Sequence, residues 1–190
     1  SLHDALPICL QSMPRGAFLC AEGGPDENQW QPVRLADGRL GYTKATYLAQ
    51  PAPALESVEE DELRQRLCGA ALSYLGVQYR WGGKTPLGID CSGLVSMAYL
   101  LNGVIIYRDA AIKPGFALHE ISFEAAKPGD LLFFPGHVAM YLGEGRFVHS
   151  TGHTGTEGVI LSSLAEEAPD YRADLKESMT AVASIFGAPQ

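Results

Sequence analysis

Basic residues are scarce in this sequence. Its 190 residues include 14 lysines and arginines against 22 aspartates and glutamates, which gives a formal net charge of −8 at pH 7. Proteins that bind nucleic acid neutralise its phosphates with clustered lysine and arginine side chains. The charge balance therefore argues against nucleic acid as a partner.

Long apolar runs are missing as well. A membrane-spanning helix needs about 20 consecutive and mainly apolar residues, and no window of the sequence offers such a run. We therefore predict no membrane span in the chain. With 46% apolar and 19% charged residues, the composition is typical of a globular protein that buries a core.

Closely spaced cysteine pairs are also absent. The sequence has 4 cysteines, Cys9, Cys20, Cys68 and Cys91, and no two of them form a C-x-x-C motif. This spacing indicates neither a disulfide framework nor a zinc knuckle. Cys68 lies in an apolar helical pattern, which favours a buried and unreactive thiol. Cys91 has a different context, described below.

Shifts in composition divide the chain into four segments. The predicted segments are a leader at 1–15, a small β domain at 16–49, a linker at 50–56 and a larger domain at 57–190. Residues 1–8 resemble translated sequencing-adapter sequence and receive no role, and the Pro/Ala-rich linker favours extended backbone. Glycine-rich turns in the β domain separate three predicted strands, at 17–21, 30–35 and 41–43.

Helical patterns precede strand patterns in the larger domain. Ser57 and Glu60 form a capping box, and apolar residues at helical spacing continue to Gly76. A second helix is predicted from Cys91 to Asn102. Strands are predicted at 131–134, 137–142, 146–150, 158–161 and 179–186, the last after a helical segment near 164–176. Helices followed by antiparallel strands predict an α+β fold.

Cys91 opens the second predicted helix and follows a glycine-rich segment. A thiol attacks as its thiolate, and a helix N-terminus stabilises that negative charge. The glycines between Trp81 and Cys91 let backbone come close to a bound ligand, and free N–H groups in the first helical turn can hold a developing oxyanion. Cys91 is therefore the candidate nucleophile.

The base for this thiol must come from elsewhere in the chain, and His137 and His149 lie on strongly patterned strands. If residues 143–145 form a three-residue hairpin loop, His137 becomes the diagonal neighbour of His149 on one sheet face. A loop of two or four residues would put the two rings on opposite faces. The three-residue loop predicts these pairs: Leu142 with Arg146, Tyr141 with Phe147, and Ala139 with His149.

Structural and metal-binding roles stay open for the same residues. A single cysteine or histidine in such a position is more often structural than catalytic. Zinc accepts mixed sulfur and nitrogen ligands, but no fourth ligand lies at a recognisable spacing from Cys91, His137 and His149. We therefore predict no metal and no other cofactor. The remaining histidines are interpreted as surface residues: His3 in the leader, and His119 and His153 in loops.

The stretch from Tyr79 to Val95, YRWGGKTPLGIDCSGLV, resembles the nucleophile motif of NlpC/P60 cysteine peptidases. Three later stretches resemble later blocks of that family in the same order: KPGDLLFF at 127–134, HVAMYLG at 137–143 and RFVH at 146–149. The resemblance spans 58–186 and implies a papain-like fold, with helices packed on an antiparallel sheet. The run from Trp30 to Tyr42 resembles the closing strands of bacterial SH3-like domains, which implies a truncated SH3-like β-barrel at 16–49.

Carried over residue by residue, the resemblance makes Cys91 the nucleophile, His137 the general base and His149 the polar residue that orients His137. It implies a cysteine endopeptidase that acts through an acyl-enzyme and without a metal. The implied partners are bacterial peptidoglycan stem peptides or muropeptides. The bond commonly cleaved in the family joins D-γ-glutamate to a diamino acid.

A substrate-binding set follows from the same resemblance: Tyr79, Asp90, Ser92, Arg108 and Asp109. Arg108 and Asp109 match the family's Arg-Asp-Ser element, whose acidic residue meets the free amino group of a stem peptide. Ala110 replaces the usual serine, and Lys113 stands where glutamine is common. Asp109 is equally interpretable as a turn residue, and Tyr79 as a packing residue.

Two rival functions stay open. An amidase or acyltransferase on the same scaffold would use the same cysteine and histidines. A catalytically silent cell-wall binding module would not need all three of them. The peptidoglycan substrate implies the cell envelope or secretion, with cytoplasmic recycling of freed peptides as the alternative. The sequence makes no prediction of oligomeric state.

Overall fold

The computed structural model of the protein describes residues 9–50 and 58–187. The chain divides into two units, Ser1–Pro51 and Ala52–Gln190, and each is described by itself. The predicted adapter-like residues 1–8 and the predicted linker from residue 51 onward lie outside the described residues.

The N-terminal unit contains a three-stranded antiparallel sheet in the order β1-β2-β3. Its strands are β1 (Cys20–Ala21), β2 (Trp30–Arg34) and β3 (Leu40–Lys44), followed by a 3-10 turn at Ala45–Tyr47. Alternation along β2 buries Gln31 and Val33 on one face. The strands lie close to the predicted segments, and the SH3-like barrel stays a prediction.

Two helices open the C-terminal unit, α1 (Glu60–Leu72) and α2 (Cys91–Leu100). Glu59 is the N-cap of α1 and makes no side-chain capping bond, and α1 begins at Glu60, the second residue of the predicted capping box, whose Ser57 lies outside the described residues. Three acidic residues in the first turn favour this start through the helix dipole. The predicted apolar stripe of α1 is buried at Leu63 and Leu67.

A six-stranded antiparallel sheet follows, in the order β10-β9-β8-β7-β11-β6. Its strands are β6 (His119–Ile121), β7 (Leu131–Phe134), β8 (His137–Gly143), β9 (Arg146–Thr151), β10 (Gly158–Ser163) and β11 (Ala181–Ser184). A two-stranded ribbon, β4 (Lys84–Thr85) and β5 (Gly88–Ile89), lies in the glycine-rich segment before α2. Helices and an antiparallel sheet together confirm the α+β class.

Three predictions in this unit are wrong in detail. His119 lies in edge strand β6, opposite Ser184, and not in a loop. The helical segment predicted near 164–176 is only the short α3 (Ala173–Ser178), and the final strand covers 181–184 instead of 179–186. Strands as short as β6 and β11 contain too few positions for alternation to be recognised.

The sheet separates two apolar clusters. On one face, alternate strand residues such as Phe133, Val138 and Val148 pack with the buried sides of α1 and α2. On the other face, Leu132, Phe134, Ala139 and Phe147 form a smaller cluster with Leu164, Leu175 and Val182. β7 contributes Leu131 and Phe133 to the first cluster and Leu132 and Phe134 to the second, so this strand is buried on both faces.

A buried ion pair connects α1 to the sheet. Arg64 Nη1 donates to Asp130 Oδ1 at 3.0 Å and to the carbonyl oxygen of Pro128 at 2.9 Å. Asp130 is 0% exposed, and its second oxygen accepts from the backbone N–H of Lys127. The Lys-Pro-Gly-Asp turn therefore places β7 against α1. Within the two described ranges, no helix has the length and hydropathy needed to cross a membrane.

Candidate active site

Cys91 is the first residue of α2 and is only 8% exposed. Asp90 is the N-cap of this helix, and its Oδ1 accepts from the backbone N–H of Gly93 at 2.6 Å. Burial raises the pKa of the Cys91 thiol, while backbone N–H groups of Val138, Ser92 and Cys91 itself act to lower it. The sulfur therefore lies among donors that can stabilise a thiolate once one forms.

The glycine-rich segment lies directly against the start of α2. A Cβ atom on Gly93 would lie 2.2 Å from the carbonyl oxygen of Gly83, so only glycine allows this approach. The other oxygen of Asp90, Oδ2, accepts from Gly82 N–H at 2.8 Å. On the far side, Ser150 Oγ donates to the carbonyl oxygen of Ile89 at 2.7 Å. These contacts hold the nucleophile between the loop and β9.

Arg108 joins the same network. Its Nη1 donates to Ser92 Oγ at 2.7 Å, and its Nη2 donates to Asp90 Oδ2 at 3.1 Å. Burial acts to raise the pKa of Asp90, but hydrogen bonds from Arg108 and from the backbone N–H groups of Gly93 and Gly82 bring it below its usual value. The structure therefore brings together three residues of the predicted substrate-binding set, and their polar groups bind one another.

Asp109 and Tyr79 complete the predicted set in different ways. Asp109 is exposed, and its carbonyl oxygen accepts from Ala111 N–H at 2.7 Å in a turn. Tyr79 lies near the nucleophile: burial, Cys91 and Asp90 all raise the pKa of its hydroxyl, which keeps it protonated and able to donate. A Cβ atom at position 152 would lie 3.0 Å from Cε1 of Tyr79, so Gly152 makes room for the ring. The sequence analysis missed Gly152.

His137 and His149 are in direct contact. Nε2 of His137 lies 2.8 Å from Nδ1 of His149, and the two rings meet edge-on with centroids 5.1 Å apart. Each ring also packs against an aromatic neighbour, His137 against Phe134 and His149 against Phe147. Both rings therefore lie on the sheet face of the smaller apolar cluster.

The hairpin that pairs these histidines differs from the predicted one. Tyr141 pairs with Phe147 as predicted, but Arg146 pairs with Gly143 and not with Leu142. The loop is thus only two residues long, and both Glu144 (φ 52°) and Gly145 (φ 75°) have positive φ. A bulge between Tyr141 and Gly143 adds the missing residue. The predicted three-residue loop was wrong. The extra residue of the bulge compensates for the shorter loop and keeps both histidines on one face of the sheet.

The first residues of β8 lie beside the nucleophile. The paired residues of β8 and β9 run from Gly143 and Arg146 to Met140 and Val148. Beyond this ladder, the backbone of Val138 interacts with the Cys91 sulfur and acts to lower the pKa of its thiol. Since Val138 follows His137 directly, the thiol lies near the first residues of β8, the strand that carries His137.

Both histidines are neutral at pH 7. Burial lowers the pKa of His137 to about 4 and that of His149 to about 3, and the neighbouring charge of Arg172 contributes in the same direction. A neutral imidazole has one bare ring nitrogen that can accept a proton. Because Nε2 of His137 is engaged by His149, Nδ1 is the nitrogen that is left for this role.

Three further residues adjoin the pair and were not predicted. Ser162 on β10 lies with its Oγ 3.1 Å from Nε2 of His149. Arg172 and Asp174, which form a bidentate ion pair at 2.8 and 2.6 Å, lie close enough to affect the pKa of both rings. Strand parity could have indicated Ser162, because it is two residues from Ile160, the partner of His149 across β9 and β10.

The other predicted thiol has no such surroundings. Cys68 is half-buried on α1, and burial raises the pKa of its thiol to about 11. Over the described ranges 9–50 and 58–187, no group of three or more histidine, cysteine, aspartate or glutamate side chains is arranged to hold a metal ion. Cys91, His137 and His149 do not form such a group.

Comparisons with known proteins identify relatives of this unit. The sequence model of the NlpC/P60 family matches residues 76–174. A dipeptidyl-peptidase 6 of Lysinibacillus sphaericus is 52% identical over 157 residues, 83% of this chain and 57% of the relative. A bifunctional muramidase/DL-endopeptidase of Bacillus subtilis is 42% identical over 89 residues, 42% of this chain and 27% of the relative. The chain thus spans less than two thirds of either relative.

A solved structure shows the same architecture. An NlpC/P60 family protein from Bacillus cereus superposes with a TM-score of 0.62 at 25% identity. The superposition covers 83% of this chain and 50% of that protein.

Proposed function

The chain belongs to the NlpC/P60 family, and from this premise we propose that it is a cysteine endopeptidase that hydrolyses amide bonds in bacterial peptidoglycan stem peptides. The two curated relatives described above are, by name, a dipeptidyl-peptidase and a muramidase/DL-endopeptidase. The observation that supports the proposal is that the Cys91 thiol, at the start of a helix, lies beside the backbone of Val138, the residue after His137, whose ring pairs with His149. The proposed bond joins D-γ-glutamate to a diamino acid.

The reaction begins with proton transfer from Cys91 to His137. The thiol proton moves to the bare Nδ1 of His137, and the resulting thiolate and imidazolium attract each other, which offsets the cost of burying the two charges. The N–H groups of Val138 and Ser92 stabilise the thiolate further. The sulfur then attacks the carbonyl carbon, and a C–S bond forms.

Acylation ends when the C–N bond breaks. The imidazolium of His137 donates its proton to the departing amine, and the acyl group stays on Cys91 as a thioester. In this proposal the backbone N–H of Cys91 and the protonated hydroxyl of Tyr79 donate to the oxyanion. Water then gives a proton to His137 and its oxygen attacks the thioester. The C–S bond breaks, and His137 returns the proton to the sulfur, which restores the thiol.

The predicted substrate-binding residues divide into two roles in this proposal. Asp90, Ser92 and Arg108 hold the glycine-rich segment against α2, because their polar groups are engaged with one another. The exposed carboxylate of Asp109 is the member of the set that can meet the free amino group of a stem peptide. Tyr79 contacts the substrate at the reacting carbonyl.

We place this activity in the cell envelope or outside the cell, where peptidoglycan is found, with recycling of freed peptides in the cytoplasm as the alternative. The family and the name of the Bacillus subtilis relative, a muramidase/DL-endopeptidase, support this location. The SH3-like character of the N-terminal unit is part of the same proposal, since such domains often accompany this type of peptidase.

The function is tested by incubating the protein with purified muropeptides, with and without a free N-terminal alanine, and identifying the products by mass spectrometry. We expect the chain to split them at the γ-D-glutamyl bond, Cys91→Ala to abolish the products, and the matched Cys68→Ala variant to retain them. Wild-type turnover in Cys91→Ala would remove Cys91 as the nucleophile. Release of the whole stem peptide, or an acyl product with a new amine, would instead identify an amidase or acyltransferase.

A further inference from the structure

Ser162 extends the histidine pair by one hydrogen bond. It lies on β10, is 2% exposed, and its Oγ lies 3.1 Å from Nε2 of His149. Nδ1 of His149 lies in turn 2.8 Å from Nε2 of His137. The three side chains therefore form a continuous buried chain of hydrogen bonds that ends at Nδ1 of His137.

Such a chain has two possible directions, because each neutral imidazole carries one proton. In one direction, Ser162 donates to His149, His149 donates through Nδ1 to His137, and the proton of His137 is on Nδ1. In the other, His137 donates through Nε2 to His149, and His149 donates through Nε2 to Ser162. Only the second direction leaves Nδ1 of His137 bare, as a base for the thiol must be.

We propose that Ser162 is a positioning residue that accepts a hydrogen bond from Nε2–H of His149 and thereby holds the histidine pair in the tautomer in which His137 can accept a proton. The proposal rests on the function proposed above. It assigns no contact between Ser162 and substrate.

The energetic basis is the cost of an unsatisfied donor. His149 is fully buried, so its Nε2–H has no access to solvent. Without an acceptor at position 162, that N–H loses its partner, which is costly in a buried site. The proton of His149 then shifts to Nδ1, the direction of the chain reverses, and His137 carries its proton on the nitrogen that must accept one.

Ser163 provides a matched control. It is 1% exposed, lies next to Ser162 on β10, and its Oγ accepts from the backbone N–H of Ala165 at 3.0 Å. Replacing either serine with alanine removes one buried hydroxyl from the same strand. Only the hydroxyl of Ser162 contacts a histidine.

The first test is NMR of the full chain with 15N-labelled histidine, since ring nitrogen shifts distinguish the two tautomers. We expect Nε2–H on both His137 and His149 in the wild type and in Ser163→Ala. In Ser162→Ala we expect His149 to gain a population protonated on Nδ1. In Ser162→Thr, which keeps the hydroxyl, we expect His149 to show the wild-type pattern. Nδ1–H on wild-type His149, or an unchanged pattern in Ser162→Ala, overturns the proposal.

The second test is hydrolysis of the muropeptides by the same variants. We expect kcat to fall about five-fold or more in Ser162→Ala, the loss of roughly one buried hydrogen bond, and to recover in Ser162→Thr. Equal losses in Ser162→Ala and Ser163→Ala would make Ser162 a structural residue and overturn the proposal. If the wild type cleaves no muropeptide, the proposed function fails, while the tautomers measured by NMR still decide the role of Ser162.

Discussion

The buried rings of His137 and His149 link the chemistry of the site to the stability of the fold. Burial lowers the pKa of His137 to about 4 and that of His149 to about 3, whereas both have a pKa of about 6.5 in the unfolded chain. The neutral ground state suits a base that takes a proton only when Cys91 loses one. Because these pKa values are lower in the folded than in the unfolded state, low pH destabilises the folded state.

We expect the free energy of unfolding to be fully maintained above pH 6.5 and to decrease as the pH falls from 6.5 to 4. Between these values the unfolded chain binds protons that the folded chain does not, so the slope with pH is positive, up to about 1.4 kcal/mol per pH unit for each ring. The two rings are coupled, so their sum is an upper limit. Urea unfolding at a series of pH values measures the slope.

The control for this prediction is the double variant His137→Gln, His149→Gln, which should flatten the slope between pH 6.5 and 4. The exposed His153→Gln should leave it in place. Arg172 lowers the pKa of Asp174 to about 2, so that carboxylate affects stability only below this range. A slope that survives in the double variant would show that other groups produce it.

At the scale of single residues, the sequence predicted positions better than partners. Cys91 could be identified because its helix start and its glycine-rich approach are local features. Gly152 could not, and Ser162 could only through the parity of β10, because their importance depends on side chains that are 73 and 13 positions away in the chain and adjacent only after folding. The sequence predicted that Asp90, Ser92 and Arg108 lie near the site. It did not predict that their polar groups bind one another.

The β8–β9 hairpin decides whether the two histidines can meet. Its two-residue loop, with positive φ at both Glu144 and Gly145, suits a type I′ turn, for which asparagine and glycine are the favoured residues. Glutamate at φ 52° is strained there because its Cβ is crowded by the backbone. The hairpin therefore contains one residue that its backbone disfavours.

We expect Glu144→Asn to increase the free energy of unfolding by about 0.5 kcal/mol, because asparagine tolerates the left-handed region better than other non-glycine residues. Glu144→Ala keeps the strained conformation and should bring no gain. Chemical denaturation of the three proteins measures the difference. A decrease in Glu144→Asn would mean that the glutamate makes a stabilising contact that outweighs its strain.

At the scale of elements, strands with long alternating or apolar patterns were predicted well, and short or irregular elements were not. β7 to β10 were recognised from their patterns. β6 was missed because three residues cannot establish a period. The bulge in β8 was missed because one extra residue leaves no mark on composition, although it changes the register of every residue beyond it.

The buried ion pair between Arg64 and Asp130 unites the helical layer with the sheet. Each of its members satisfies a second partner, the carbonyl oxygen of Pro128 or the N–H of Lys127. A charge left alone at this depth has no solvent to stabilise it. The pair therefore contributes to the stability of the whole C-terminal unit.

We expect Asp130→Asn to lower the free energy of unfolding by about 2 kcal/mol, since it leaves the buried Arg64 charge with only the partly exposed Glu60, 2.9 Å from its Nε, as a counter-ion. Glu62→Gln, which breaks the exposed pair between Glu62 and Arg66 on the same helix, should change it very little. Urea unfolding followed by circular dichroism compares the two. Similar effects of both substitutions would show that the buried pair has no special weight.

The sequence by itself determined the α+β class, the helix that begins at Cys91 and the strands that carry His137 and His149. These follow from local patterns of apolar residues, glycine and helix starts. Only the tertiary structure decided that the bulged hairpin puts both rings on one face, that the backbone of Val138 lies beside the Cys91 sulfur, and that the Ser162 hydroxyl lies within hydrogen-bond distance of His149. The reason is physical: register, burial and hydrogen-bond partners depend on contacts between segments that are distant in sequence.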